Sequence, residues 1–202
     1  MKRVVSHVTG HTALLQRDDI DTDALFPGRF LRLSHRSGMG RYLFADWREA
    51  GQPESAFMDD AETARILVAP QNFGCGSSRE HAVWALADYG VEAVVALSFG
   101  DIFRNNCVKN DIVAATVTEA DHALLAEALR QPGAHTLHLD VAARRLRVDG
   151  DGIELPFELV DGHAEQLLSA EDPISRTLRF EPALRAHEAR VLAEKPWLAA
   201  IE

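Results

Sequence analysis

Residues 65–97 admit few folds. RILVAP (65–70) is an apolar run stopped by proline, NFGCG follows at once, and no glycine or proline interrupts Ser78 to Tyr89, where Val83, Leu86, Ala87 and Gly90 recur at helical spacing. VEAVVAL (91–97) is a second apolar run. Strand, glycine turn, helix, strand is a βαβ unit, and its right-handed crossover makes the two strands a parallel pair. The helix is predicted to start at the serines, Ser77-Ser78, and to stop at Gly90.

Around this unit the chain reads as one domain. A strand is compatible with 7–15, the acidic stretch DDIDTD (18–23) suits a turn or helix cap, and Pro27-Gly28 makes a turn. LRLSHRSGMG (31–40) has no period and reads as a surface loop of the kind that touches ligands. Thr118 with Asp121 opens a helix toward Arg130, closed by Pro132-Gly133. Strands over 136–139, 145–148 and 153–157, separated by turn-rich residues including DGDG (149–152), suggest an antiparallel meander. Arg144, Arg145 and Arg147, alternating with Leu146 and Val148, read as the solvated edge of a strand. A final helix is predicted from Glu181 toward Lys195, with only a weak apolar stripe.

The chemistry concentrates at NFGCGSSREH (72–81). Gly74 and Gly76 lack a β-carbon, so the backbone there can take positive φ and approach a ligand closely. A helix N-terminus has N–H groups without internal partners and a partial positive charge, which suits a carboxylate or phosphate. Arg79 adds a planar, permanently charged fork that pairs with a carboxylate through two hydrogen bonds. Serine is ordinarily a poor base, but the same two positive features lower the cost of an alkoxide. Glu80 and His81 either orient the arginine or face water. The purely structural reading stays open, since serine caps helices for local reasons. His81 also fits a hydrogen-bonded structural role, Cys75 a small packed residue, and Asp21 and Asp23 caps.

Other chemistries fit poorly. The spacing is neither GxGxxG nor a P-loop, and GxSxG is absent. A serine hydrolase would further need a histidine on Ser77 or Ser78. With 31 acidic against 21 basic residues the net charge of -10 repels phosphate backbones and anionic lipid, and no basic patch intervenes. Residues 1–15 form neither a signal peptide nor a membrane span. Cys75 and Cys107 make no CxxC pair and suggest a reducing cytoplasm.

Three stretches resemble the small subunit of 3-isopropylmalate dehydratase, a family similar to the swivelling domain of aconitase. They are Asp21-Thr22-Asp23-Ala24 with PGRFL (27–31), then 72–81 with Trp84-Ala85-Leu86 and Asp88-Tyr89-Gly90. The third is Ser98-Phe99 with Asp101-Ile102-Phe103, Asn105-Asn106 and Lys109-Asn110. The resemblance implies a single α/β domain over 1–202, a three-layer β/β/α swivelling domain with a core of about 1–160 and a helical C-terminal extension. It implies that Ser77 is the base that moves the substrate proton, and that Ser78 and Arg79 hold substrate carboxylate. Loop 31–37 would lie over the substrate's variable group, with Arg32 and Arg36 as its candidate contacts.

The implied partner is a large subunit holding a [4Fe-4S] cluster through three cysteines with one iron open. That cluster would supply the Lewis acid needed to expel hydroxide, with no cofactor or metal bound by this chain. The implied reaction converts 2-isopropylmalate into 3-isopropylmalate through an alkene, in leucine biosynthesis. Departures from the family are Gly100, where alanine is frequent, Asp111, where glycine is frequent, and Glu171-Asp172-Pro173-Ile174 in a loosely matching stretch, 162–176. A paralogue acting on a dimethylmalate, citramalate or homoaconitate type of acid therefore stays open, as does a non-catalytic anion-binding module.

Overall fold

The strands are β1 (His7–Leu14), β2 (Ile66–Ala69), β3 (Ala93–Ala96), β4 (Val113–Thr116), β5 (Thr136–Asp140), β6 (Arg145–Val148) and β7 (Glu154–Pro156). In the computed structural model, which describes residues 3–33, 35–60, 62–131, 135–150 and 152–200, they form one seven-stranded sheet in the order β4-β3-β2-β1-β5-β6-β7. The described residues fall into two compact units, 3–169 and those from 170 onward, and the sheet belongs to the first.

β1 joins two halves of different character. Toward β4 the pairs are parallel, and toward β7 they are antiparallel. The parallel strands ILVA and AVVA are buried at every position, as strands covered on both faces must be. Ile66, Val68 and Val95 join Leu137, Leu146 and Leu155 in one core cluster. Leu67, Ala69 and Val94 face the other way, into a second cluster with Val83, Leu86 and Phe103. In the antiparallel half the strands alternate: Leu146 and Val148 point inward while Arg145 and Arg147 stay in water. Because β6 lies between β5 and β7, its arginines occupy a solvated face of the sheet and not an edge. The sheet curls far enough that Thr116, at the end of β4, exchanges two backbone hydrogen bonds with Glu158, just past β7 (2.9 and 2.7 Å).

Helices of this unit are α1 (Thr22–Leu25), α2 (Ala45–Glu49), α3 (His81–Tyr89), α4 (Asp101–Lys109), α5 (Glu119–Arg130) and α6 (His163–Leu168). α5 begins as its capping residues predict, with Thr118 Oγ1 accepting from Asp121 N. Its predicted Pro132-Gly133 stop lies outside the described residues, as does Asp151 of the DGDG turn. α3 departs from expectation. Glu80 is its N-cap and His81 its first residue, so both serines precede the helix. Residues 75–77 are tied into a bridge with 21–22 instead: Thr22 N–H donates to the Cys75 carbonyl (2.9 Å) and Ser77 N–H to Thr22 Oγ1 (3.0 Å). A backbone committed to that track cannot turn helical until it leaves it.

Both departures noted within the first unit have physical reasons. A β-carbon on Gly100 would lie 2.6 Å from the Gly74 carbonyl oxygen, so an alanine would force the backbone apart. Asp111 takes φ 60°, the left-handed region that glycine adopts freely, and its carboxylate accepts the Arg3 N–H (3.3 Å). In the second unit α7 (Pro173–Leu178) starts where Asp172 accepts from the N–H groups of Ile174 and Ser175, and α8 (Glu181–Glu194) follows with no buried residue. Among the described residues no helix is long and apolar enough to cross a membrane.

Candidate active site

The acidic stretch 18–23 and the glycine-rich stretch 71–79 are laced together side by side. Asp18 accepts from Gln71 N (3.2 Å), and Asp19 from Asn72 Nδ2 (2.7 Å). Asp21 caps α1 by accepting from Ala24 N (2.7 Å). Asp23 does something else: its two oxygens face the Arg79 fork, with Nη1 donating at 2.7 Å and Nη2 at 3.5 Å. In the sequence Asp23 reads as a cap, and Glu80 and His81 either orient the arginine or face water. Glu80 instead accepts from Asn110 Nδ2 (2.7 Å) at the end of α4. Asp23 and Arg79 stand 56 residues apart, and no local pattern marks such a pair.

Gly74 and Gly76 do take positive φ, 73° and 91°. At Gly74 a β-carbon would lie 2.1 Å from the Phe103 ring, so the turn is pressed against α4. At Gly76 the neighbours would be Asp21 Cβ and Thr22 Oγ1, each at 3.5 Å. Thr22 is buried, and its hydroxyl both accepts from Ser77 N–H and donates to the Ser77 carbonyl (3.3 Å). The peptide of Ser77 is thus fixed from both sides. The Ser77 and Ser78 hydroxyls have no hydrogen-bond partner among the described residues, and no histidine reaches either. The hydrolase requirement is therefore unmet. His81 is held by rings, lying 5.8 Å from Phe26 and 4.9 Å from Trp84 between centroids, and its side chain has no hydrogen bond to a described residue.

Burial, with Asp21 and Asp19 nearby, pushes the Cys75 thiol up from its ordinary value. Cys107 is fully buried in the core, which raises its thiol further. Among the described residues no group of three or more His, Cys, Asp or Glu is placed to hold a metal ion.

Of the loop 31–37, Ser34 lies outside the described residues. Leu31 and Leu33 pack against the core, as does Phe30 before them. Arg32 is exposed, with no hydrogen bond or ion pair to a described residue. Arg36 is placed differently, its guanidinium 4.6 Å above the Trp84 ring of α3. The structure thus brings Ser77, Ser78 and Arg79 together on one stretch, and attaches Arg36 to the helix that follows them.

The chain matches the aconitase C-terminal domain over residues 2–120. It is 40% identical over 185 residues to the 3-isopropylmalate dehydratase small subunit of Rubrobacter xylanophilus, covering 91% of this chain and 93% of the relative. To the small subunit of the same name from Geobacillus kaustophilus it is 42% identical over 187 residues, covering 90% and 93%. Among solved structures, the 3-isopropylmalate dehydratase of Methanocaldococcus jannaschii superposes with a TM-score of 0.65 at 24% identity, covering 90% of this chain and 99% of that one, and so shares the swivelling fold. On these matches the chain belongs to the family of 3-isopropylmalate dehydratase small subunits within the aconitase superfamily.

Proposed function

We propose that the chain is the small half of a hydro-lyase that interconverts 2-isopropylmalate and 3-isopropylmalate by dehydration and rehydration, in leucine biosynthesis. The observation that carries this reading is Ser77, whose peptide is clamped by Thr22 while its hydroxyl has no partner among the described residues, two positions from a guanidinium steered by Asp23. Names of the relatives support isopropylmalate over the related hydroxy acids and over a non-catalytic module.

In this reading Ser77 takes the proton from substrate carbon and returns it on rehydration. Its alkoxide is stabilised by the Arg79 guanidinium two positions on. Ser78 and Arg79 hold substrate carboxylate, and loop 31–37 covers the variable group, with Arg32 and Arg36 as its candidate contacts. The [4Fe-4S] cluster is the large subunit's, and this chain does not fit as its holder: Cys107 is sealed in the core and Cys75 stands without a second available thiol. The working assembly is thus at least a heterodimer in the cytoplasm, acting on a small hydroxy acid without nucleic acid or membrane.

Co-purification with a cluster-bearing large subunit, then a panel of hydroxy acids followed at the alkene absorbance, tests the proposal. Both isopropylmalates should turn over, and faster than citramalate or dimethylmalate. Turnover of citramalate with none of isopropylmalate would overturn the substrate, and no turnover of any acid would overturn the activity.

Asp23 provides a further check. A guanidinium has five donors, and Asp23 occupies two of them on the Nη1 and Nη2 edge, leaving three for substrate in a fixed direction. Asp23→Asn should raise KM for isopropylmalate roughly threefold to tenfold with a smaller change in kcat, since the pair is partly exposed and only moderately strong. Steady-state kinetics decide it, and a lowered KM would mean that Asp23 competes with the substrate instead of aiming its partner.

A further inference from the structure

Three features fasten the end of the substrate-facing loop to α3. The Asp88 carboxylate, in the last turn of that helix, accepts the Gly38 N–H on one oxygen (3.0 Å) and the Gly40 N–H on the other (2.7 Å). One helical turn earlier Trp84 lies under the Arg36 guanidinium at 4.6 Å, and Trp84 is itself packed on the core. At Gly40 a β-carbon would meet Tyr89 N at 2.6 Å and Tyr89 Cα at 2.7 Å, so only glycine lets the loop lie directly on the helix. Trp84 and Asp88 are four residues apart and therefore share one face of α3. The same helix begins immediately after Ser77, Ser78 and Arg79.

We propose that Asp88 and Trp84 are positioning residues for substrate selection, and that Arg36 serves as the cation that latches loop 36–40 to α3 and not as a carboxylate ligand. One rigid helix then sets the distance between the reacting end of the substrate, at its N-terminus, and the loop over the variable group, along its flank. Arg32, with no hydrogen bond or ion pair to a described residue, is left as the loop's cation that can turn to the substrate. This assignment rests on the reading that the loop covers the variable group. It divides two arginines that the sequence could not tell apart.

Arginine and lysine separate the two roles. A cation over an indole face is served by either side chain, whereas two-pronged recognition of a carboxylate needs the planar fork. In the complex with the large subunit, Arg36→Met and Asp88→Asn should each raise KM for isopropylmalate about fivefold to tenfold, with the effect on kcat small. Both should narrow the preference for isopropylmalate over citramalate by a similar factor. Arg36→Lys should recover most of what Arg36→Met loses. In the isolated full chain, Asp88→Asn should speed hydrogen exchange at the Gly38 and Gly40 amides, a readout that needs no activity.

If Arg36→Lys is as impaired as Arg36→Met, Arg36 binds carboxylate directly and the latch is wrong. Unchanged exchange at Gly38 and Gly40 in Asp88→Asn would also overturn it. Faster exchange with an unchanged substrate preference would remove the role in selection while leaving the function of Ser77 untouched. Failure of the unaltered complex to turn over isopropylmalate, by contrast, would bring down the reading on which the latch depends.

Discussion

Ser77→Ala should reduce turnover by about a hundredfold to ten-thousandfold, the span that a positioned proton-transfer group contributes, while leaving the fold and the subunit complex intact. The geometry makes this a clean experiment. The hydroxyl has no partner among the described residues, and both bonds that fix residue 77 run from Thr22 to its backbone, so alanine keeps them. Stability should therefore change by no more than about 0.5 kcal/mol. Substrate binding should also survive, since Ser78 and Arg79 remain, and the loss should fall on kcat. Stopped-time turnover of isopropylmalate and loss of substrate C–H into deuterated water would be followed together. Full activity in the alanine variant would remove Ser77 from the proton transfer and with it the mechanism proposed above.

Gly74→Ala should be the most damaging change that touches no chemical group. The new methyl would sit 2.1 Å from the Phe103 ring at a residue with φ 73°, and retreat is resisted because the Gly74 N–H is held by the Ile20 carbonyl (2.7 Å). Overpacking costs about 1–3 kcal/mol and a left-handed alanine about 1–2 kcal/mol more. For a chain of this size that corresponds to a fall in Tm of roughly 4–20 °C, measurable by thermal melts of the isolated chain. Activity should fall as well, because residues 75–77 carry Ser77. Enlarging the space by Phe103→Leu in the same chain should return part of the lost Tm. A melt unmoved by Gly74→Ala would mean that the turn relaxes easily and that Phe103 is not its wall.

What could be read in advance was whatever the chain states locally. The parallel pair β2 and β3 shows as two unbroken apolar runs, the meander as alternation, and the cap of α5 as Thr118 with Asp121 three residues on. The stretch proposed to carry the chemistry declares itself through two glycines, two serines and an arginine in sequence. The errors share a different cause. Whether α3 starts at Ser78 or His81 depends on Thr22, which captures the Ser77 peptide from 55 residues away. Asp18, Asp19 and Asp23 look like turn residues because their donors, Gln71, Asn72 and Arg79, lie more than fifty residues downstream. α4 is not legible in the sequence because DIFRNNCVK hides its buried face, Phe103, Asn106, Cys107 and Val108, among polar neighbours. Arg32 and Arg36 are indistinguishable as letters, and only the position of the Trp84 ring separates them.

The order of strands in the sheet has a consequence for synthesis. Residues 2–120 include every site residue named above, yet the sheet they build is unfinished at both margins. β1 leaves the ribosome before β2 and can pair with it early, but its other edge waits for β5, with Thr9 and His138 meeting across 129 residues. β4 waits longer still, for Glu158. Until the last strands arrive, a nascent chain exposes two hydrogen-bonding edges flanking fully apolar strands, the arrangement most prone to pairing with a neighbour. The meander carries none of the proposed site residues, and its contribution is to seal the half of the molecule that holds them.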